Sequence, residues 1–142
     1  MEELIICSFF ADLNLKSEKL YQEKLDALFL ENPENKHLLE LELLSGNILE
    51  SIIYITNHIN LNNIKIELFK KNLAEYLKKL YLEMNIKTFS EICYKIWLRL
   101  PESVADDEYF MILNYANDYV SIGFENVAEK NFENLFSHYE LI

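Results

Sequence analysis

Glycine and proline are scarce in this chain, with two of each in 142 residues. β-Hairpins draw on glycine and other turn residues, so the scarcity leaves few places for a sheet to turn and points to helices. Cysteine is equally sparse. Cys7 and Cys93 stand beside Ile6 and Ile92, which predicts reduced core thiols rather than a disulfide framework. No apolar run approaches the roughly 18 residues that a membrane-spanning helix needs. The opening MEELIICSFFA places an apolar run behind an acidic start, whereas a signal peptide begins basic. A cytoplasmic protein is therefore expected.

Positive charge is what the C-terminal third lacks. No Lys or Arg lies between Arg99 and Lys130, while Glu102, Asp106, Asp107, Glu108, Asp118, Glu125 and Glu129 all fall there. The net charge is −11, and residues 100–142 hold nine acids against Lys130 alone. Phosphate backbones are bound by clustered cations, so direct binding to nucleic acid or to an anionic membrane is disfavoured. A cationic protein partner fits, because a complementary field speeds encounter and rejects wrong partners.

What is present is apolar and periodic. With 51% hydrophobic residues, residues 1–142 are long enough for a single domain with its own core. A first helix is expected over about residues 2–13, apolar on most sides. Ser17 is a candidate N-cap for a second helix carrying Leu20, Tyr21, Leu25, Leu28 and Phe29, which ends at Asn32-Pro33. The pattern resumes from Asn35 and passes Gly46, either a C-cap dividing two helices or a tolerated glycine where another helix crosses closely, and one bent or interrupted helix pair is expected. Ile52 to Thr56 is rich in β-branched residues, yet its flanks keep a helical period.

Asn62 and Asn63 are expected to open a long helix whose stripe runs through Phe69, Leu73, Tyr76, Leu77, Leu80, Tyr81 and Met84. Lys70, Lys71, Lys78 and Lys79 lie off that stripe as a solvated face and a counterweight to the acidic third. Thr88 with Glu91 matches a capping box, ahead of a face of Phe89, Ile92, Cys93, Ile96, Trp97 and Leu100. Pro101 ends that helix or starts the next. Asp106 or Asp107 can cap a short helix over residues 109–115, residues 117–123 form the expected loop, and a last helix spans about residues 125–139. The expectation is an all-α fold of six to eight antiparallel helices, as one compact bundle or a short curved array.

No catalytic, cofactor or metal motif is found. Glu34-x-x-His37 has di-iron spacing, but the residues three before His58 and His138 are Ile55 and Leu135, so the required second motif is missing. Two isolated glycines cannot build a phosphate loop. No cysteine has a histidine near it in sequence, and no nucleophile elbow surrounds Ser45-Gly46. Trp97, Tyr76 and Tyr139 sit at helical spacing, where aromatics serve the core.

Tyr109, Tyr115 and Tyr119 are different, because they lie among the acids. Tyrosine anchors and carboxylates select, so Glu102, Asp106, Asp107, Glu108, Tyr109, Tyr115, Asp118 and Tyr119 form the expected partner-binding face. The bland reading is that Asp106, Asp107 and Glu108 only favour a helix N-terminus.

One resemblance sharpens this expectation. Leu39-Glu40-Leu41-Glu42, Ser45, Asn47, Trp97, Leu100-Pro101, Leu113-Asn114-Tyr115-Ala116-Asn117-Asp118 and Ser121-Ile122-Gly123 follow one another in an order that resembles small acidic bacterial immunity proteins of polymorphic toxin and contact-dependent growth inhibition systems. Ile122 stands where that group usually has tryptophan, and Asn117 replaces a first aspartate. The resemblance implies a cytosolic, non-catalytic inhibitor that covers the active site of one cognate toxin domain, frequently a basic nuclease. A helical-repeat adaptor for a peptide or regulatory protein is the alternative.

Overall fold

With so few chain breakers, the periodic stretches fold as helices almost without interruption. The computed structural model describes residues 1–13, 18–61 and 63–141, and those residues contain nine helices and no strand. The all-α expectation holds, with nine helices in place of six to eight because two breaks and one short turn of helix subdivide the predicted segments. The chain divides into two compact units, Met1–Lys65 and Ile66–Ile142.

The first unit comprises α1 (Glu2–Asp12), α2 (Glu18–Glu31), α3 (Lys36–Leu43) and α4 (Ile48–His58). Every residue from Leu4 to Ala11 is buried, as a helix apolar on all sides must be. It packs against α2 and α4, while α3 packs against both of those. Ser17, the expected cap of α2, lies outside the described residues. Only Tyr21 and Leu25 of α2 are buried; Leu28 and Phe29 are half-buried and Leu20 is exposed. Asn35 caps α3, its side chain accepting from the amides of His37 and Leu38. Gly46 adopts φ +88, a left-handed value that glycine takes without steric cost. It therefore divides two helices, and Asn47 Oδ1 starts the second by accepting from Glu50 N at 3.1 Å.

The second unit comprises α5 (Ile66–Glu83), α6 (Ile86–Trp97), α7 (Glu102–Ala105), α8 (Ile112–Ser121) and α9 (Glu125–His138). Asn62 lies outside the described residues, and Asn63 sits in a bend before α5 rather than in its first turn. The interior is aromatic: Phe89 and Phe132 meet at 4.8 Å between ring centroids, and Tyr81 lies 5.3 Å from both Phe89 and Phe136. Helix α8 packs between α6 and α9.

Three local expectations are corrected in this unit. Helix α6 begins at Ile86, because Asn85 Oδ1 accepts from Thr88 N at 2.9 Å; asparagine is as good a cap as threonine and comes first, so Thr88 is already helical. Residues 117–121 continue α8 instead of forming a loop, since Ala116 and Leu113 are buried and their packing extends the helix to the next glycine. Trp97, Tyr76 and Tyr139 are half-buried rather than core. The Trp97 indole N–H donates to Ala105 O at 3.1 Å, which keeps its polar edge near the surface.

Candidate functional site

The acidic stretch starts where Pro101, at φ −62 and ψ 150, breaks the backbone and leads into α7. Val104 and Phe110 are fully buried, so this short segment is pinned at two points. Between them Asp107 folds back on the chain. Its Oδ1 accepts from Tyr109 N at 2.9 Å, a side-chain turn that aspartate makes readily. Its Oδ2 lies 2.9 Å from Lys70 Nζ of α5, with side-chain exposures of 18% and 12%. Glu67 Oε1 lies 3.5 Å from the same ammonium.

The electrostatics follow from that geometry. Burial would raise the Asp107 pKa, but the Lys70 ammonium and the amides of Tyr109 and Phe110 outweigh it and hold the carboxyl below its ordinary value. Burial likewise opposes the charge of Lys70, and Asp107 and Glu67 together raise its pKa nonetheless. The Tyr139 hydroxyl is pushed well up by desolvation and then by Asp107 and Glu67, so it stays protonated. Lys70 is thus no part of a solvated basic face.

The eight expected partner-binding residues separate accordingly. Asp107 is committed to the fold. Tyr109 is half-buried and stacks on His138, with centroids 3.9 Å apart and rings 13° from parallel. Glu102, Asp106 and Glu108 are exposed on and just after α7, and Tyr115 and Asp118 are exposed on α8. Tyr119 is half-buried. Six acids between Arg99 and Lys130 remain without the Lys70 contact, and no cation of that segment offsets them.

The sequence alone missed an apolar component. Ile122 is 66% exposed and Phe124 56%, both at the junction of α8 and α9. Tyr115, Asp118 and Ile122 recur at i, i+3 and i+7, one stripe of a helix, but the spacing has meaning only if residues 117–121 are helical. The junction itself is closed by backbone hydrogen bonds. Phe124 N donates to Tyr119 O at 2.8 Å and Gly123 N to Val120 O at 3.2 Å, the paired bonds of a Schellman end with Gly123 at φ +85.

This arrangement has the means to bind by charge and by exposed aromatic and aliphatic side chains. Among the described residues no group of three or more His, Cys, Asp or Glu is placed to hold a metal ion. His37, of the Glu34-x-x-His37 pair, instead places Nδ1 3.0 Å from the Tyr54 hydroxyl. Both cysteines are buried and neither is in a disulfide, and desolvation pushes the Cys93 thiol well up. No described helix is long and apolar enough to cross a membrane. No family model, curated protein or solved structure matches the chain.

Proposed function

We propose that this chain is an immunity protein that neutralises one cognate bacterial toxin domain by stoichiometric binding, without catalysis, in the cytoplasm. The toxin domain is a cationic one, and a nuclease is the class that fits. The observation that carries the proposal is the cation-free segment from Leu100 to Glu129, which presents Glu102, Asp106, Glu108 and Asp118 together with exposed Tyr115, Ile122 and Phe124. A nuclease cleft is built for phosphates, and carboxylates on a folded surface can occupy it in their place. Aromatic anchors supply the contact area that charge alone does not.

Titration of the purified protein against the toxin domain encoded beside it is expected to abolish toxicity near one to one. Toxicity that persists in excess protein sinks the proposal. An adaptor that takes a peptide in an apolar groove is the competing reading, and salt separates the two. Association driven by this acidic face slows as ionic strength rises, whereas groove binding is far less sensitive.

A further inference from the structure

Phe124 stands where local chemistry favours a different kind of residue. It is the N-cap of α9, a position at which serine, threonine, aspartate or asparagine accepts a hydrogen bond from the first turn, and its side chain makes no such bond. It also follows the left-handed Gly123 at the end of α8, where an apolar side chain frequently folds back on the preceding helix. Here the ring is more than half exposed.

Its neighbours repeat the pattern. Ile122, the C-cap of α8, is also more than half exposed, and Val127, 38% exposed, lies one turn on from Phe124. Tyr115, 43% exposed, lies seven residues before Ile122 on the same stripe of α8. Natural sequences break local preference chiefly at functional surfaces, and this junction does so at successive positions.

The surround is acidic. Asp118 falls between Tyr115 and Ile122 on the α8 stripe, and Glu125 follows Phe124 in the first turn of α9; both are exposed. Arg99 is the last cation before them and Lys130 the first after them. An apolar strip edged by carboxylates is complementary to one edged by cations, which is the inner face of a basic amphipathic helix. The same face of a second copy would set carboxylate against carboxylate, and an anionic lipid surface is repelled for the same reason.

We propose that the α8–α9 junction receives a basic amphipathic helix of a protein partner, with Ile122, Phe124 and Val127 packed on its apolar stripe, Tyr115 extending the contact along α8, and Asp118 and Glu125 facing its lysines or arginines. The proposal rests on the reading of the acidic segment as the seat of a cationic protein, and it names the element of that protein which is held. The 10 residues of α8, at 1.5 Å each, set the junction about 15 Å from the exposed acids of α7. The two ends then have different tasks. Carboxylates on and after α7 draw the partner in from a distance, and the apolar contacts at the junction set how long it stays.

The test uses the whole chain and three synthetic peptides of about 18 residues, long enough to hold a helix. One carries leucine and lysine with the leucines at helical spacing, one replaces its lysines by glutamate, and one keeps its lysines but replaces leucine by glutamine. The leucine–lysine peptide is expected to give saturable shifts at Ile122, Gly123, Phe124 and Val127 in ¹H–¹⁵N correlation spectra, and the lysine–glutamine peptide to bind at least about tenfold more weakly. Phe124→Ser supplies the capping oxygen that α9 lacks, so the helix is kept while the leucine–lysine peptide should dissociate about tenfold faster. Ile122→Ala should quicken dissociation a few-fold. Unchanged dissociation in both variants, or shifts that saturate elsewhere, overturns the proposal. Equal affinity for the lysine–glutamine peptide overturns it too but leaves the cationic-partner reading standing, whereas equal affinity for the leucine–glutamate peptide removes the charge argument from both. Self-association of the free chain that Phe124→Ser abolishes would give the surface to a second copy instead.

Discussion

Asp107 engages both carboxylate oxygens inside the fold, one on the Tyr109 amide and one on Lys70. Replacing it by asparagine keeps the shape but removes the charge, leaving a mostly buried ammonium with the more distant and more exposed Glu67 as its remaining carboxylate partner. The expected cost is about 1 to 3 kcal/mol at neutral pH, read from urea unfolding. The pH dependence has a definite sign. A carboxyl whose folded-state pKa lies below its unfolded value of about 3.9 contributes fully above that value, and the contribution fades as pH falls through the folded value. Lys70, shifted the other way, contributes below its unfolded value of about 10.4 and fades as pH rises through the folded one. Wild type and Asp107→Asn should therefore differ most between these limits and converge in acid. A constant gap from pH 7 to pH 2 refutes the assignment. In the sequence Asp107 groups with its neighbours as a binding residue, because composition gives every carboxylate in a run the same weight. Only the approach of Lys70 from 37 positions upstream distinguishes it.

Helix ends carry the next scale. Helices α8 and α9 both stop in the same pattern, a left-handed residue followed by a backward bond from the next amide. In α8 the left-handed residue is Gly123; in α9 it is Glu140 at φ +59, with Leu141 N donating to Phe136 O at 2.9 Å. A side chain in that region costs roughly 1 kcal/mol that glycine avoids. Gly123→Ala is expected to destabilise by about 1 kcal/mol through backbone strain alone, because nothing lies within 4 Å of an added Cβ. Glu140→Gly removes strain but loosens the unfolded chain, and is expected to gain a few tenths of a kcal/mol to about 1 kcal/mol. Thermal unfolding of the two variants should move in opposite directions, and a shared direction would count against the helix-end account. Elements were the most legible level of this chain. The buried faces of α6 and α9 follow from Phe89, Cys93, Ile96 and from Phe132, Leu135, Phe136 at helical spacing. The misplaced α6 start and the residues 117–121 assigned to a loop have one cause. Asn and Asp serve equally as caps, turn residues and helix-surface residues, and only packing chooses among those roles.

At the scale of the molecule, charge and fold have to be read together. Reversing Asp106, Glu108 and Asp118 to lysine alters only exposed carboxylates, so stability should change little. Association with a cationic partner should slow by about tenfold or more and lose most of its salt dependence, as stopped-flow measurements at several salt concentrations would show. Unchanged kinetics would move the interface away from this face. By itself the sequence determined the all-helical class, the charge asymmetry and most of the inward stripes, because periodicity, turn-residue scarcity and net charge are local or additive properties. The tertiary structure decided which acids are free and which are paired, and it exposed Ile122 and Phe124. It also brought Gln22 of one helix against Glu42 and Ser45 of another. Those outcomes depend on contacts between residues far apart in the chain, whose pairing no local pattern encodes.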